Sequence, residues 1–467
     1  MGDDQFTVDN IPFGIISTAD LPTLLRPATR IASTVIDLSA LARLGAFKSI
    51  PAFDATTLQA HTLNRFAAQP RAARRAVRER VQKIWREVES EAGGDAAGKW
   101  KEAMLEAGRT KNHLPMMTVN YADYVSSLGH AVNYGRERSD PKQGVGDRRK
   151  RKEGGRRWTY RGQDITHKKQ MADLLNHPVP ARAPFYHSPL GYYGNSRNIV
   201  VSGTPVRRFW GVTGGQFQLD GPAAAGPSQA FDFELELGVY LCGETAVGQT
   251  VKLEDVDDVV FGFVLLNDWS ARDIQSSESA GPTGPFLGKS GAVTISPWIV
   301  TLDALDSRAR LPRQLQPSVP FVDYLSETAD STATSVPPCL DIRCAVSLRR
   351  DGADEIEVCH AEYKQTYWTY RQLLAHQTRN GSAIGPGDLL GTGTMSLFEG
   401  DDSGRCCLAE RSYMGKQPVE LGGGRRPLAW LEDGDEVGLT GWVHDAKTGE
   451  RLFGFGDCKG VVVPLEL

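Results

Sequence analysis

The sequence predicts an α+β fold that is mostly β, and three observations support this. Glycine and proline are abundant, 49 and 26 in 467 residues, which favours many short strands and turns over a helical bundle. From about residue 118 onward, short apolar runs recur between turn residues: "NIVVSGTPV", "DFELELGVYL", "VVFGFVLLN", "VTISPWIVTL", "LDIRCAVSLRR" and "DEVGLTGWV". Helical patterns are few there, "TYWTYRQLLAHQTRN" being the clearest. The length leaves room for two or three domains and a large core.

Residues 1–117 read as a separate N-terminal unit. It opens on the strand-like runs "PFGIIST" and "ATRIASTVIDLSAL", then turns helical, with Pro70 interrupting the pattern. The second half of that helical stretch spaces apolar residues among many charges, as a solvated face does. Residues 118–467 supply the antiparallel or mixed sheets. Within them, 136–170 carry thirteen Lys/Arg against five Asp/Glu, a local +8, which leaves −12 for the remainder of a chain totalling −4. By charge alone "RRKRK" fits a nuclear signal or a nucleic-acid patch. Only Trp158 and Tyr160 interleave with it, and no periodicity supports it, so a disordered basic insertion is the expectation.

Composition is that of a globular protein, 40% hydrophobic and 24% charged. No apolar run approaches the roughly 18–20 residues of a membrane span. The start, "MGDDQFTVDN", is acidic, lacks signal-peptide regions, and has Phe where a myristoylation signal needs Ser or Thr. The expectation is a cytoplasmic protein with no membrane or nucleic-acid partner. Seven cysteines show no CxxC pair and no Cys/His metal spacing, which predicts reduced structural thiols, with adjacent Cys406 and Cys407 in a strand.

The stretch "FDFELELGVY" raises the chemical question. Alternation puts Asp232, Glu234 and Glu236 on one face of a strand and Phe231, Phe233, Leu235 and Leu237 on the other. Like charges in that array repel unless a cation sits among them, and a hard divalent ion takes oxygen ligands. Taken alone, the pattern also describes an exposed acidic face. Asp268 adds an acid where "VVFGFVLLN" runs into the loop "NDWSARDIQ", and Asp123 lies seven residues before His130 in "NYADYVSSLGHAVNYG". A histidine so placed is commonly an ordinary polar residue. "GPFLGKS" ends like a phosphate-binding loop, but only three residues separate Gly284 from Gly288 and one is Pro285, so the nucleotide reading fails. Lys289 remains as a cationic stabiliser.

Together, "FTVDNIPFGIIST", "FDATTL", "IVVSGTPVRR", "ELELG", "NDWSARDIQ", "GPFLGKS", "TISPWIV" and "GDLLGTGTMS" resemble the fumarylacetoacetase family over nearly the whole chain outside the basic segment. The resemblance implies a small SH3-like β-barrel N-terminal domain with a helical linker, a C-terminal mixed β-roll bearing the site, and a homodimer. It implies Asp123, Glu234, Glu236 and Asp268 as ligands of Mg²⁺ and/or Ca²⁺, while Asp232 is not a ligand. His130 and, through "RCCLAERSYMGK", Glu410 match the catalytic dyad, and Lys289 and Gln275 match stabilisers of the developing alkoxide. Tyr192, Gln275, Arg272 and Thr394 match residues lining the substrate.

The implied activity is metal-dependent hydrolysis of a carbon–carbon bond in a 1,3-diketo acid. The best match is 4-fumarylacetoacetate plus water giving fumarate and acetoacetate, the last step of tyrosine and phenylalanine degradation. His130, oriented by Glu410, would take a proton from the attacking water. Three departures bear on recognition. Val125 and Ser279 stand where the family has tyrosines, and the family's "FRG" arginine has no counterpart, with Arg182 nearby but matching no motif. They keep a second reading open, a divergent member that hydrolyses another acylpyruvate or β-diketone or decarboxylates a β-keto acid. An inactive protein kept for dimerisation is a third, opposed by retention of every acid and both dyad residues.

Overall fold

A computed structural model of the chain describes residues 5–90, 94–138, 183–213, 224–279, 283–306, 308–315, 319–327 and 337–466. Arg182 and positions 139–170 of the basic segment lie outside the described residues. The helix Leu128–Arg138 includes the first three positions of that segment. Among the described residues no helix is long and apolar enough to cross a membrane.

The N-terminal unit is an antiparallel sheet in the order Met104–Glu106, Thr34–Asp37, Leu21–Ile31, Phe13–Thr18, Thr110–His113. No ladder joins its two outer strands among the described residues. The run "ATRIASTVIDLSAL" is not one strand. Ala32 takes a positive φ of 49° and turns the chain, and Asp37 then ends the second strand by capping the helix Leu38–Arg43, its Oδ1 accepting from Ala40 N at 2.9 Å. Pro70 caps the start of the helix Arg71–Glu89, where its missing N–H costs nothing. The charged helix is amphipathic: Ala73, Val77, Val81 and Ile84 are buried, and Arg78 donates to the backbone oxygens of Asp9 and Asn10.

Two further sheets face each other over the largest core. One runs in the order Leu190–Tyr193, Tyr121–Val125, Leu389–Gly391, Leu235–Leu241, Val260–Asp268, Val293–Ile295, Ile199–Val201, with Val300–Thr301 also paired to Val260–Asp268. The other runs Ile356–Glu362, Ile342–Arg349, Glu436–His444, Cys458–Val463, Val206–Arg207. Strand alternation then decides what each face does. Leu235, Leu237, Val239, Phe263, Leu265, Ala122 and Tyr124 point into the core between the sheets. Tyr121, Tyr240, Val264, Leu266 and Leu389 point the other way, into a core shared with Ile11, Phe13, Ile36 and Phe66 of the N-terminal unit. Asp123, Glu234, Glu236 and Asp268 have the parity of this second set. The acids thus sit at one end of a face whose other end the N-terminal unit covers.

Backbone bonds join the two halves: Phe13 N to Ile299 O at 3.0 Å and Ile299 N to Phe13 O at 2.8 Å. Leu266 is fully buried at this junction. Leu266→Ala should therefore destabilise the whole chain by about 2–5 kcal/mol, through lost burial and the cavity left behind. Urea unfolding followed by far-UV dichroism and by tryptophan fluorescence should show the same displaced midpoint in both signals.

Candidate active site

Four buried carboxylates, Asp123, Glu234, Glu236 and Asp268, bring oxygens within 4.8 Å of one another. Sheet pairing delivers them. Asp123 lies opposite Tyr192 on one side and Gly391 on the other, and Leu235–Leu241 runs antiparallel to Val260–Asp268. Gly391 is glycine for a visible reason: a Cβ there would stand 2.6 Å from Asp123 Oδ1 and 3.1 Å from Glu236 Oε2. Two residues on, Gly393 has φ 77° and gives its N–H to Glu236 Oε2 at 2.8 Å.

Burial first, and then mutual repulsion, push the carboxyls of Glu236 and Asp268 well above the ordinary range, and that of Asp123 above it. Glu234 goes the other way. Burial opposes its ionisation, but Arg272 and Lys289 outweigh that and hold it well below the ordinary value. Lys289 Nζ bonds both Glu234 and Asp268 and reaches Ser270 Oγ at 2.9 Å. Even so, Glu236 Oε1 and Asp268 Oδ1 are buried with no hydrogen-bond partner. Orphaned carboxylate oxygens beside three raised pKa values are the mark of a site short of positive charge, and an all-oxygen donor set suits Mg²⁺ or Ca²⁺. The residues present fit such an ion.

The third acid of the strand does something else. Asp232 accepts from Arg272 Nε at 2.7 Å and from the N–H groups of Leu408 and Ala409 at 2.6 and 3.0 Å. It thereby fixes the turn Leu408–Arg411, which carries Glu410. His130 Nδ1 lies 2.6 Å from Glu410 Oε1, which also accepts from Ser396 Oγ at 2.6 Å and lies 3.4 Å from Cys407 Sγ. Glu410 Oε2 accepts from Asn133 Nδ2 at 2.9 Å. A carboxylate on Nδ1 fixes the tautomer with its proton there and leaves Nε2 as the basic atom. Burial pushes the Glu410 carboxyl up, but the His130 charge and the bonds from His130, Ser396 and Asn133 pull harder, so it ends below the ordinary value.

The remaining expected residues separate by what they touch. Tyr192 donates to Asp268 Oδ2 at 3.1 Å, and Thr394 is buried with its Oγ1 unpartnered. Gln275 accepts from Arg272 Nη1 at 3.0 Å. Arg272 is 1% exposed and donates to Asp232, Glu234 and Gln275. Val125 ends its strand half-buried, and Ser279 caps the helix Arg272–Glu278, so neither position offers a phenol. All seven cysteines are free and buried. Cys406 and Cys407 are not in a regular strand as expected. Cys407 makes an isolated bridge with Glu234 and then caps the Glu410 turn, because Asp232 ends the extended chain there.

Asn133, Ser396 and Tyr134 were missed from sequence. Asn133 and Tyr134 had a signal, lying three and four residues after His130 and so one helical turn on.

Comparison with known proteins gives a consistent picture. Residues 9–115 match the model of the fumarylacetoacetase N-terminal family, and residues 161–463 that of the fumarylacetoacetate (FAA) hydrolase C-terminal family. The chain is 36% identical to fumarylacetoacetase of Caenorhabditis elegans, over 99% of this chain and 97% of that one. It is 34% identical to fumarylacetoacetase of Emericella nidulans, over 98% and 96% respectively. A solved fumarylacetoacetate hydrolase of Exiguobacterium antarcticum is 13% identical, at a TM-score of 0.46 over 97% of this chain and 100% of that one.

Two outcomes follow from the geometry. Gly391→Ala should weaken divalent-ion binding by about tenfold or more, since its methyl displaces Asp123 and Glu236; calorimetric titration of the chelated protein measures this, and unchanged affinity would remove Gly391 from the site. A carboxyl held below its ordinary pKa stabilises the fold at neutral pH and loses that contribution as pH falls through the depressed value. Glu410→Gln should therefore cost about 1.5–3 kcal/mol in urea unfolding at pH ~7, with the difference shrinking below pH ~4.

Proposed function

The chain belongs to the fumarylacetoacetase family, and on that premise we propose that it hydrolyses the carbon–carbon bond of 4-fumarylacetoacetate, giving fumarate and acetoacetate. The observation that carries this reading is the adjacency of the buried carboxylate cluster to the His130–Glu410 pair, joined through the Glu234–Cys407 bridge. In this reading, residues 1–117 form a small SH3-like barrel domain with its helical linker, and 118–467 form the catalytic domain. Two copies make a homodimer, and the enzyme works in the cytoplasm.

Asp123, Glu234, Glu236 and Asp268 would hold Mg²⁺ or Ca²⁺. When bound, such an ion supplies Lewis-acid polarisation of a 1,3-dicarbonyl. The chain's own residues do the remaining work. Glu410 keeps the His130 proton on Nδ1, so Nε2 takes a proton from water, which attacks the carbonyl carbon. Lys289 Nζ, held by Glu234, Asp268 and Ser270, would donate to the developing alkoxide. Gln275 Nε2 adds a second donor there, each donor being worth about 3–4 kcal/mol in such a role. The carbon–carbon bond then breaks, the proton held on His130 Nε2 passes to the departing carbon, and no covalent bond to the protein forms. Thr394 Oγ1 and the Tyr192 hydroxyl line the substrate.

Val125 and Ser279 favour a second reading, because neither supplies a phenol to a substrate carboxylate. In it the same machinery cleaves another acylpyruvate or β-diketone, or decarboxylates a β-keto acid.

Purified enzyme assayed on fumarylacetoacetate and on acetylpyruvate separates the two readings. Turnover of the first should disappear with chelator and return with Mg²⁺ or Ca²⁺. His130→Ala should lower kcat by about 10²–10⁴ while retaining the divalent ion by calorimetry. A variant that keeps most of its turnover would require a different base.

A further inference from the structure

Four residues after His130, and so on the same side of the helix Leu128–Arg138, stands Tyr134. Its ring stacks against the His130 imidazole, with centroids 5.4 Å apart and planes 24° apart. The Arg272 guanidinium carbon lies 5.4 Å from the same ring centroid. The Tyr134 hydroxyl donates to Gln275 Oε1 at 3.4 Å, and Arg272 Nη1 donates to that oxygen at 3.0 Å. Tyr134 is half-buried, so it is not a core residue that happens to lie nearby.

We propose that Tyr134 is a positioning residue for the hydrolysis, aligning the His130 ring and the Gln275 amide with each other. The inference rests on the hydrolase reading above. An amide oxygen accepts at two lone-pair sites, and here two donors face it. The end of Gln275 left to meet a substrate is then its NH₂ group, the end an alkoxide needs. Arg272 alone leaves the amide free to turn about one bond; the second donor, from a different element, stops that rotation. The 3.4 Å contact is long, as such bonds commonly are before substrate closes the site. Through its ring, the same residue limits the tilt of His130, whose Nε2 must meet the water on the same substrate carbon. Two groups from separate elements are thereby held by one side chain.

The test uses the Mg²⁺-loaded enzyme. The wild type is first scored on fumarylacetoacetate and on acetylpyruvate. Failure on the first with turnover of the second sinks the substrate reading alone and leaves the Tyr134 series readable on the second. Tyr134→Phe keeps the stacked ring and should lower kcat about 3- to 10-fold, with KM within about twofold and an unchanged thermal midpoint. In a Gln275→Ala background the same change should alter kcat by less than about 1.5-fold, because the amide it orients is gone. A reading free of turnover comes from selective ¹⁵N-glutamine labelling: the side-chain NH₂ pair that Gln275→Ala removes should shift in Tyr134→Phe. Unchanged kcat in Tyr134→Phe, equal losses in both backgrounds, or an unshifted NH₂ pair would each overturn the proposal.

Discussion

Everything around the site answers to one constraint: several carboxylates are buried together at the end of a sheet. In water such a cluster would spread apart; here the strand pairings forbid it, since Asp123 and Gly391, and Leu235 and Asn267, are fixed partners in ladders. Two buried cations, Arg272 and Lys289, offset part of the charge. They act unequally, which is why the Glu234 carboxyl is held below its ordinary pKa while those of Glu236 and Asp268 are pushed above theirs. Orphaned carboxylate oxygens kept inside a fold cost stability, which marks the cluster as a functional site.

The same network sets the dyad. Arg272 ties Glu234 to Asp232, and Asp232 fixes the turn that presents Glu410. The acid strand therefore has two outputs, clustered carboxylate oxygens at Glu234 and Glu236 and a positioned Glu410 through Asp232. Loss of Asp232, which is fully buried, would be felt at both. Glycines complete the arrangement from the neighbouring strand, where Gly391 makes room and Gly393 turns its N–H onto Glu236.

Much of this was legible in the sequence because it is periodic. Alternation in "FDFELELGVY" placed the acids on one face, and the apolar runs gave the strands that hold them. Short-range capping was harder to read: "VIDLSAL" looked like strand until Asp37 capped a helix within it, and Cys407 looked like strand until Asp232 ended the chain's extension. The different role of Asp232 was not deducible from spacing at all. Its carboxylate is directed by backbone N–H groups 176 and 177 residues away, which no local pattern encodes. Ser396 was invisible for the same reason, its bond to Glu410 depending on how two loops meet. The burial of Arg272 was equally invisible: its bonds to Asp232 and Glu234 span 40 and 38 residues, beyond any local pattern.

The site is unequally constrained, and the inequality has a consequence for specificity. Glu410 meets His130, Ser396, Asn133 and Cys407, and Asp232 is held by three donors, so a change in any one group is resisted by the others. Thr394, by contrast, has an unpartnered hydroxyl, and Ser279 merely ends a short helix. Groups with few partners can be replaced without moving the rest, because no second bond transmits the change. On the proposed roles, proton transfer therefore resides in the stiff part of the network, and recognition in the compliant part. Val125 and Ser279 are both in the compliant part. That is the pattern expected when the substrate's outer end is free to vary while the bond-breaking geometry stays fixed.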